Sequence, residues 1–218
     1  MQISWHGQSC FQITAATQKN NDKITIVVDP FGEEIGLRVP KLEADILLVT
    51  HSHPDHSNIK AVLGNPFLIT GPGEYEIKNV FIQGVPAFHD KSKGSERGMT
   101  TIYTIEAEEM RLCHLGDLGQ TELTEEQVER IGDVDILMIP IGGIYTIDAA
   151  VAIKIMSQLE PKIIIPMHYQ ISKLKLKLDG KEKFLKALGI KSIEPLNKFS
   201  VKKKELSEEE VQIVVLQP

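Results

Sequence analysis

The densest group of chemically capable side chains in this sequence is residues 51–56, which read His-Ser-His-Pro-Asp-His. Four candidate metal ligands, His51, His53, Asp55 and His56, fall within these six residues. Imidazole suits zinc, iron and copper, and carboxylate suits harder cations, so the mixture suits a first-row divalent metal. Because histidine is rare and this cluster is dense, the segment predicts a metal site rather than a solvent-exposed turn.

The spacing within this segment predicts two metals. Side chains alternate along extended backbone, so His51 and His53 point the same way and can bind one metal together. Asp55 and His56 lie where the chain is expected to turn into a helix, and they can face a second metal nearby. Two adjacent metals can share one hydroxide nucleophile, and catalytic metals keep a position open for water. The segment therefore predicts hydrolytic chemistry.

Apolar runs along the chain predict the scaffold that positions this segment. Ten runs rich in Ile, Val and Leu, bounded by Gly, Pro and Asp, predict strands. They are Ile3–Trp5, Cys10–Thr14, Ile24–Val28, Ile46–Thr50, Phe67–Thr70, Val80–Val85, Thr101–Glu106, Arg111–Leu115, Ile136–Ile139 and Ile163–Met167. The first metal-ligand candidate follows the fourth run directly, at a strand end, where a rigid scaffold can present functional side chains.

Helices are fewer in the pattern. Thr124–Ile131 begins with a capping box, and Ile147–Leu159 has an apolar face and ends before a proline. Ser57–Leu63 and Lys181–Leu188 are weaker helix predictions. The charge-dense stretch Lys198–Glu210 has apolar flanks, which include Val211–Leu216, and predicts a terminal hairpin. Strands first, then strands interleaved with helices, indicate an α/β layered sandwich, which we expect to be a single domain over residues 1–218.

Composition limits the classes of function. The chain has 218 residues, of which 42% are apolar, enough for a proper core. A net charge of -6 argues against a general nucleic-acid partner, since phosphate contacts need a basic surface. Cys10 and Cys113 lie in apolar runs and predict buried reduced thiols. The sequence shows neither a signal-peptide pattern nor a membrane-spanning run, so a cytoplasmic location and no membrane partner are expected.

Residues 51–56 resemble the signature loop of the metallo-β-lactamase superfamily, and further motifs of that family follow in order. Asp29, in Val-Val-Asp-Pro-Phe, resembles an acidic position that orients the ligands from behind them. His89, in Val-Pro-Ala-Phe-His, matches the next ligand, and Asp117, in His-Leu-Gly-Asp, matches the bridging position. His168, in Ile-Pro-Met-His-Tyr, matches the last ligand.

This resemblance, which spans residues 1–169, implies a four-layer αββα sandwich with two metals at one edge. It implies that one metal is bound by three histidines and the other by one aspartate and two histidines, with Asp117 shared; the two sets are His51, His53 and His89, and Asp55, His56 and His168. Asp55 is also the implied catalytic residue that handles a proton. Zinc is the expected metal, with manganese or iron as alternatives. Because Asp117 stands where the true β-lactamases have cysteine, antibiotic hydrolysis is not expected.

The predicted function is a binuclear metal-dependent hydrolase that uses a metal-bound hydroxide. Its expected target is an ester-type bond, phosphodiester or lactone, in a small anionic molecule, and the chain is similar to the subgroup that includes sugar-acid phosphate lactonases. The alternative from another class is a catalytically silent metal-binding or sensor protein on the same fold, against which the complete ligand set argues. A homo-oligomer is left open.

Five further residues are expected around the metals. His6, in the first turn, and His114, just before the Gly-Asp pair, are predicted to support the ligands from behind, although His6 equally suits a surface turn. Lys91, Lys93 and Arg97 crowd the loop after His89 and suggest an anionic substrate. Acidic residues in the same loop make a plain solvated loop the favoured alternative for these three.

Overall fold

Two β-sheets packed face to face form the centre of the structure, a computed structural model that describes residues 1–16, 23–207 and 209–218. Its strands are β1 Gln2–Gly7, β2 Cys10–Ala16, β3 Lys23–Val28, β4 Leu42–Glu43, β5 Ile46–Leu48, β6 Val62–Leu63, β7 Phe67–Ile69, β8 Gly73–Ile77, β9 Val80–Phe88, β10 Met99–Ala107, β11 Met110–His114, β12 Ile136–Pro140, β13 Ile163–Met167, β14 Phe199–Ser200 and β15 Gln212–Ile213. The helices are α1 Glu125–Ile131, α2 Ala149–Leu159 and α3 Lys181–Ala187. Each of the ten predicted strands overlaps one of these, and three of the four predicted helices are present.

The first sheet has the strand order β14-β1-β2-β3-β5-β7, and the second has the order β15-β13-β12-β11-β10-β9-β8. In both sheets antiparallel pairing gives way to parallel pairing, at β3–β5 in the first and at β11–β12 in the second. Strands β12 and β13 are buried along their whole length. Such continuous apolar runs are typical of parallel strands covered on both faces.

Alternation of side chains divides the apolar residues between two cores. Trp5, Phe11 and Ile13 of the first sheet point inward and pack with the second sheet and with apolar side chains of all three helices. Residues of opposite parity, such as Val27 and Leu47, point outward into a smaller cluster. The αββα sandwich type is therefore confirmed. Among the described residues, its first outer layer is built from the 3₁₀ turn Glu33–Ile35, the two-stranded sheet of β4 and β6, and loop segments.

Two local predictions are wrong. Residues 57–63 form a 3₁₀ turn, Ile59–Ala61, and then strand β6, rather than a helix. So short a segment cannot sustain a helix without burying an apolar face, and its start is held by tertiary contacts instead, with Asn58 donating to the carbonyls of Pro30 and Phe31.

The C-terminal region is not a hairpin. Strand β14 pairs with β1 of the first sheet, whereas β15 pairs with β13 of the second. The two strands complete edges of different sheets, and the backbone groups of those edges gain hydrogen bonds that a hairpin would not supply.

Strand β8 was not predicted from the sequence, because its Gly-Glu-Tyr-Glu-Ile pattern begins in a Gly-Pro-Gly turn signal. Among the described residues, no helix has the length and apolarity to cross a bilayer.

Candidate metal centre

The ends of several strands meet at one edge of the sandwich and carry the ligand candidates. Residues 51–56 form the loop after β5, and Asp29 directly follows β3. His89 and His168 directly follow β9 and β13, and Asp117 lies three residues beyond β11. The second sheet and the first sheet therefore both contribute side chains to the same edge, which explains how positions far apart in sequence come together.

One set of candidates consists only of histidines and is called here the three-histidine group. Its members, His51, His53 and His89, each offer a ligand atom within 4.8 Å of the others. His51 Nε2 lies 3.0 Å from His53 Nδ1, and the ring centroids of His51 and His89 are 4.8 Å apart. Two of these rings are buried, whereas His53 is half-buried and faces the opening of the site.

The other set combines carboxylates with imidazoles and is called here the mixed group. Asp55, His56, Asp117 and His168 offer ligand atoms within 4.8 Å of one another. Asp117 Oδ2 lies 3.2 Å from Nε2 of both His56 and His168, and 3.5 Å from Nε2 of His89. One carboxylate oxygen thus faces members of both groups at once. The structure brings together all seven residues that the sequence suggested as ligands.

Asp29 lies behind both groups and fixes the hydrogen on two imidazoles. Its carboxylate accepts from the Thr50 amide at 2.8 Å, from the Thr50 hydroxyl at 2.7 Å and from His56 Nδ1 at 2.9 Å. Because the hydroxyl donates to Asp29, it must accept from His51 Nδ1, 2.9 Å away. His51 then carries its hydrogen on Nδ1 and turns a bare Nε2 towards the site, whereas His56 directs its Nδ1 hydrogen to Asp29 and its Nε2 towards the site.

A third set, Asp29 with His51 and His56, also satisfies the distance condition for a metal site. The oxygens of Asp29 are already engaged by three hydrogen bonds, however, and the imidazole nitrogens that face them carry hydrogen. Asp29 is therefore better placed to orient ligands than to bind a metal.

The electrostatics of the centre depend on its carboxylates. Burial lowers the pKa of His51 to about 3, so this ring stays neutral and keeps its lone pair. Burial also opposes charge on His56, yet the Asp117 and Asp29 carboxylates outweigh it and raise the pKa of His56 well above its ordinary value. Burial would raise the pKa of Asp117, but His168 and His56 hold it well below its ordinary range. The mixed group thus attracts positive charge.

This donor set fits divalent metal ions. His56 Nε2 is fully buried and has no hydrogen-bond partner among the described residues, although Asp117 and Asp55 oxygens lie 3.2 Å and 3.3 Å away. A buried nitrogen that faces two carboxylates needs a positive charge there, which is either a proton on the ring or a metal ion in its place. The three-histidine group likewise turns Nε2 of His51 towards Nδ1 of His53. The chemistry of both groups matches nitrogen and oxygen ligation of a first-row metal.

Several residues of the centre have left-handed backbone conformations. Asp29, His168 and Gln8 have φ angles of +48°, +50° and +53°, which side chains with a Cβ adopt only at a cost. Gly116, before Asp117, has φ +54°, and a Cβ there would meet the Thr100 hydroxyl at 2.6 Å. These conformations bend the chain immediately beside the ligands, so that strand-end side chains converge.

Gln8 was not singled out from the sequence and lies within the centre. It is fully buried, and its Nε2 donates to Asp55 Oδ2 at 3.0 Å and lies 2.8 Å from His168 Nε2. The neighbouring Ser9 hydroxyl donates to Asp117 Oδ1 at 3.4 Å. Glutamine in a turn is too common to signal a site, so only its proximity identifies it. The glycine pair at 142–143 also approaches the centre, since a Cβ on Gly142 would meet the His168 carbonyl at 2.1 Å.

The supporting histidines differ in position. His114 is buried, donates from Nε2 to the Ser9 carbonyl at 3.0 Å, and accepts from the Gly116 amide. It therefore braces the turns that carry Ser9 and Asp117. His6 hydrogen-bonds Gln12 of the adjacent strand, and burial lowers its pKa. In the described part of the chain, no hydrogen bond joins His6 to a ligand candidate.

A cavity of about 320 Å³ opens above the two groups and reaches five of the seven candidates. Three further side chains border it, Arg97, Tyr145 and Leu176. Lys91 and Lys93 do not border this cavity, and both are exposed on the same loop. Of the three cationic residues suggested for an anionic substrate, the structure brings only Arg97 to the site.

Comparison with known proteins gives matches over most of the chain. The model of a β-lactamase superfamily domain matches residues 2–168. A UPF0173 metal-dependent hydrolase from Thermococcus onnurineus is 30% identical over 196 residues, which are 78% of this chain and 84% of that protein. A second such hydrolase, from Thermoplasma volcanium, is 32% identical over 198 residues, 78% of this chain and 83% of the relative.

Among solved structures, a proposed zinc-dependent hydrolase of the metallo-β-lactamase superfamily from Thermotoga maritima is similar along the whole chain. The TM-score is 0.78 and the sequence identity 36%, and the match covers 99% of this chain and 97% of the other.

Proposed function

The chain belongs to the metallo-β-lactamase superfamily and is a metal-dependent hydrolase of it, and from this premise we propose that two divalent metals act together at the described centre. The proposed reaction is hydrolysis of an ester-type bond, phosphodiester or lactone, in a small anionic molecule. The observation that carries the proposal is the position of Asp117 Oδ2, which faces imidazole nitrogens of both groups at 3.2–3.5 Å.

Each group supplies the ligands of one metal in this proposal. The three-histidine group, His51, His53 and His89, holds the first, and Asp55, His56 and His168 hold the second. Asp117 lies where a carboxylate can contribute to both. Bound together, two such ions lower the pKa of water towards neutrality and offset the negative charge that develops during hydrolysis.

The protein's own residues orient these ligands and handle protons. Asp29 and Thr50 fix the rings of His51 and His56, so that Nε2 of each ring already points into the centre. Asp55 is half-buried at the cavity and is the proposed acceptor of the proton lost from water. Burial would raise the pKa of Asp55, but the neighbouring His56, whose Nε2 lies 3.3 Å from Asp55 Oδ2, lowers it, so the carboxylate is ionised at neutral pH.

We propose zinc as the native metal, with manganese or iron as the alternatives that the carboxylates of the mixed group tolerate. The partner is a small molecule that fits the cavity of about 320 Å³. The cytoplasmic location stays a prediction.

Metal analysis followed by a hydrolysis screen tests the proposal. The purified chain is stripped with a chelator, reloaded with zinc, manganese or iron, and analysed for metal content. Each form is then assayed against phosphodiester, lactone and thioester compounds. We expect close to two equivalents per chain, and hydrolysis that is lost on chelation and regained on reloading. Two bound metals with no hydrolysis of any class would instead favour the metal-binding or sensor alternative, and one equivalent or less would contradict the binuclear site.

A further inference from the structure

Arg97 is held in place at the mouth of the metal centre by the backbone of its own loop. The Asp90 carboxylate accepts four amide hydrogen bonds at 2.8–3.1 Å from within residues 92–97. The donors are Ser92, Gly94, Glu96 and Arg97. The loop is closed at its base by the His89 amide, which donates to the Gly98 carbonyl at 3.1 Å. A loop that begins at a ligand candidate and is fixed in this way presents Arg97 at a defined position over the cavity.

The guanidinium of Arg97 has N–H groups that are available to bind a ligand. Its Cζ lies 5.7 Å from the centroid of the Tyr145 ring, and Nη1 is 3.6 Å from a carboxylate oxygen of Glu96. The Glu96 side chain is 58% exposed, so this ion pair is weak. Within the described ranges the guanidinium makes no hydrogen bond. A cation–π contact with the Tyr145 ring uses none of the guanidinium N–H groups, and their planar fork matches carboxylate or phosphate geometry.

The other two cations of the loop provide an internal contrast. Lys91 and Lys93 are exposed and do not border the cavity, although they carry the same charge. A general attraction of anions by the loop would involve all three cations. Recognition within the cavity would involve Arg97 alone. The cavity is also small, at the lower end of typical ligand pockets, and Leu176 provides an apolar wall.

We propose that Arg97, positioned over the Tyr145 ring, binds an anionic group of the substrate that is separate from the bond being hydrolysed. The ligand class is a short molecule with a reacting group over the metals and a carboxylate or phosphate at its other end. The proposal rests on the proposed function, because it takes the metal centre as the place where the reacting group lies.

The test is isothermal titration calorimetry of the zinc-loaded full chain with three matched probes. Butyrate offers one carboxylate for the metals, succinate adds a second carboxylate at the far end, and 3-phosphonopropionate replaces that second group with a phosphonate. The variants are Arg97→Gln, Tyr145→Leu and, as the matched control, Lys93→Gln, which removes the same charge from the same loop outside the cavity.

We expect wild-type protein to bind succinate about 10–100-fold more tightly than butyrate, since hydrogen bonds to a charged partner are strong and bidentate pairs add to them. Arg97→Gln should remove this advantage, Tyr145→Leu should reduce it, and Lys93→Gln should leave it within about twofold of wild type. A larger advantage for the phosphonate identifies the natural group as a phosphate, and a larger one for succinate identifies it as a carboxylate.

The proposal is overturned if wild-type protein binds succinate and the phosphonate no better than butyrate, or if Lys93→Gln weakens them as much as Arg97→Gln does. Failure of the proposed function has a different signature, because the hydrolysis screen and metal content report on it without these probes. Binding of butyrate to the zinc-loaded chain further separates an intact metal centre from a lost subsite.

Discussion

The three-histidine group and the mixed group lie side by side at one edge of the sandwich, yet they differ in charge and burial. The first offers three imidazoles and includes the half-buried His53, whereas the second includes two carboxylates and buries three of its four members. A cation therefore meets neutral donors in one and net negative charge in the other. Proximity in the fold has not made the two groups equivalent, and Asp117 is the residue that faces both.

Removing Asp117 should have the largest effect, because it eliminates the shared oxygen. Asp117→Ala should fold, since the position lies beyond β11 and outside the sheet pairing. We expect metal content to fall towards one equivalent. Hydrolysis should fall by more than the roughly 10–100-fold that loss of a residue behind the ligands costs. Elemental analysis and kcat/KM measure the two effects. A variant that keeps two metals and near-native kcat would show that Asp117 is not the bridge.

The next effect distinguishes the groups by metal preference. His53→Ala and His168→Ala should each lose about one equivalent, but the site that remains should differ in character. After His53→Ala the intact mixed group, with its carboxylates, should still bind manganese, whereas after His168→Ala the intact three-histidine group should retain zinc in preference. Dialysis against equimolar zinc and manganese, followed by elemental analysis, measures this. Identical ratios of bound zinc to manganese in His53→Ala and His168→Ala would show that the two groups do not differ in metal preference.

Asp29 supports both groups, so its change should weaken metal binding without abolishing it. In Asp29→Asn the amide nitrogen cannot accept from the Thr50 hydroxyl or from His56, and both rings lose a fixed tautomer. We expect metal affinity to fall by about 10–100-fold in competition with a chelator. Asp45→Asn is the matched control, because Asp45 accepts from the Thr25 amide away from the centre. Equal metal affinities in Asp29→Asn and Asp45→Asn would show that Asp29 does not orient the ligands.

The smallest effect is expected at Gln8, whose side-chain amide lies against Asp55 and His168 of the mixed group. Gln8→Ala removes the hydrogen bond to Asp55 Oδ2, and a neutral donor of this kind contributes about 1 kcal/mol. We expect a decrease in kcat of about fivefold, with weaker binding of the second metal and unchanged binding of the first. Gln12→Ala, on the neighbouring strand, controls for loss of a glutamine side chain. A decrease in both metal affinities would show that Gln8 acts through folding rather than through the mixed group.

Much of the scaffold could be predicted because its signals are local. Period-two apolar runs mark strands whatever they pair with, and Thr124 and Asp148 cap helices through contacts a few residues away. The C-terminal strands could not be predicted correctly, since their partners, β1 and β13, lie far away along the chain. The helix prediction for residues 57–63 was wrong for a similar reason, because the start of this segment is fixed by hydrogen bonds from Asn58 to the carbonyls of Pro30 and Phe31.

The same division applies to the candidate centre. The sequence by itself supplied seven ligand candidates: the density of histidines marked residues 51–56, and the resemblance to the metallo-β-lactamase superfamily added His89, Asp117 and His168. The same resemblance implied the αββα sandwich type. Three features depended on the tertiary structure. It places Gln8 beside Asp55, and it orients the rings of His51 and His56 through Thr50 and Asp29. It also places Arg97, and not Lys93, at the border of the cavity. Side chains of common types carry no signal along the chain, and distance and hydrogen-bond direction between strand ends exist only once the sheets have packed.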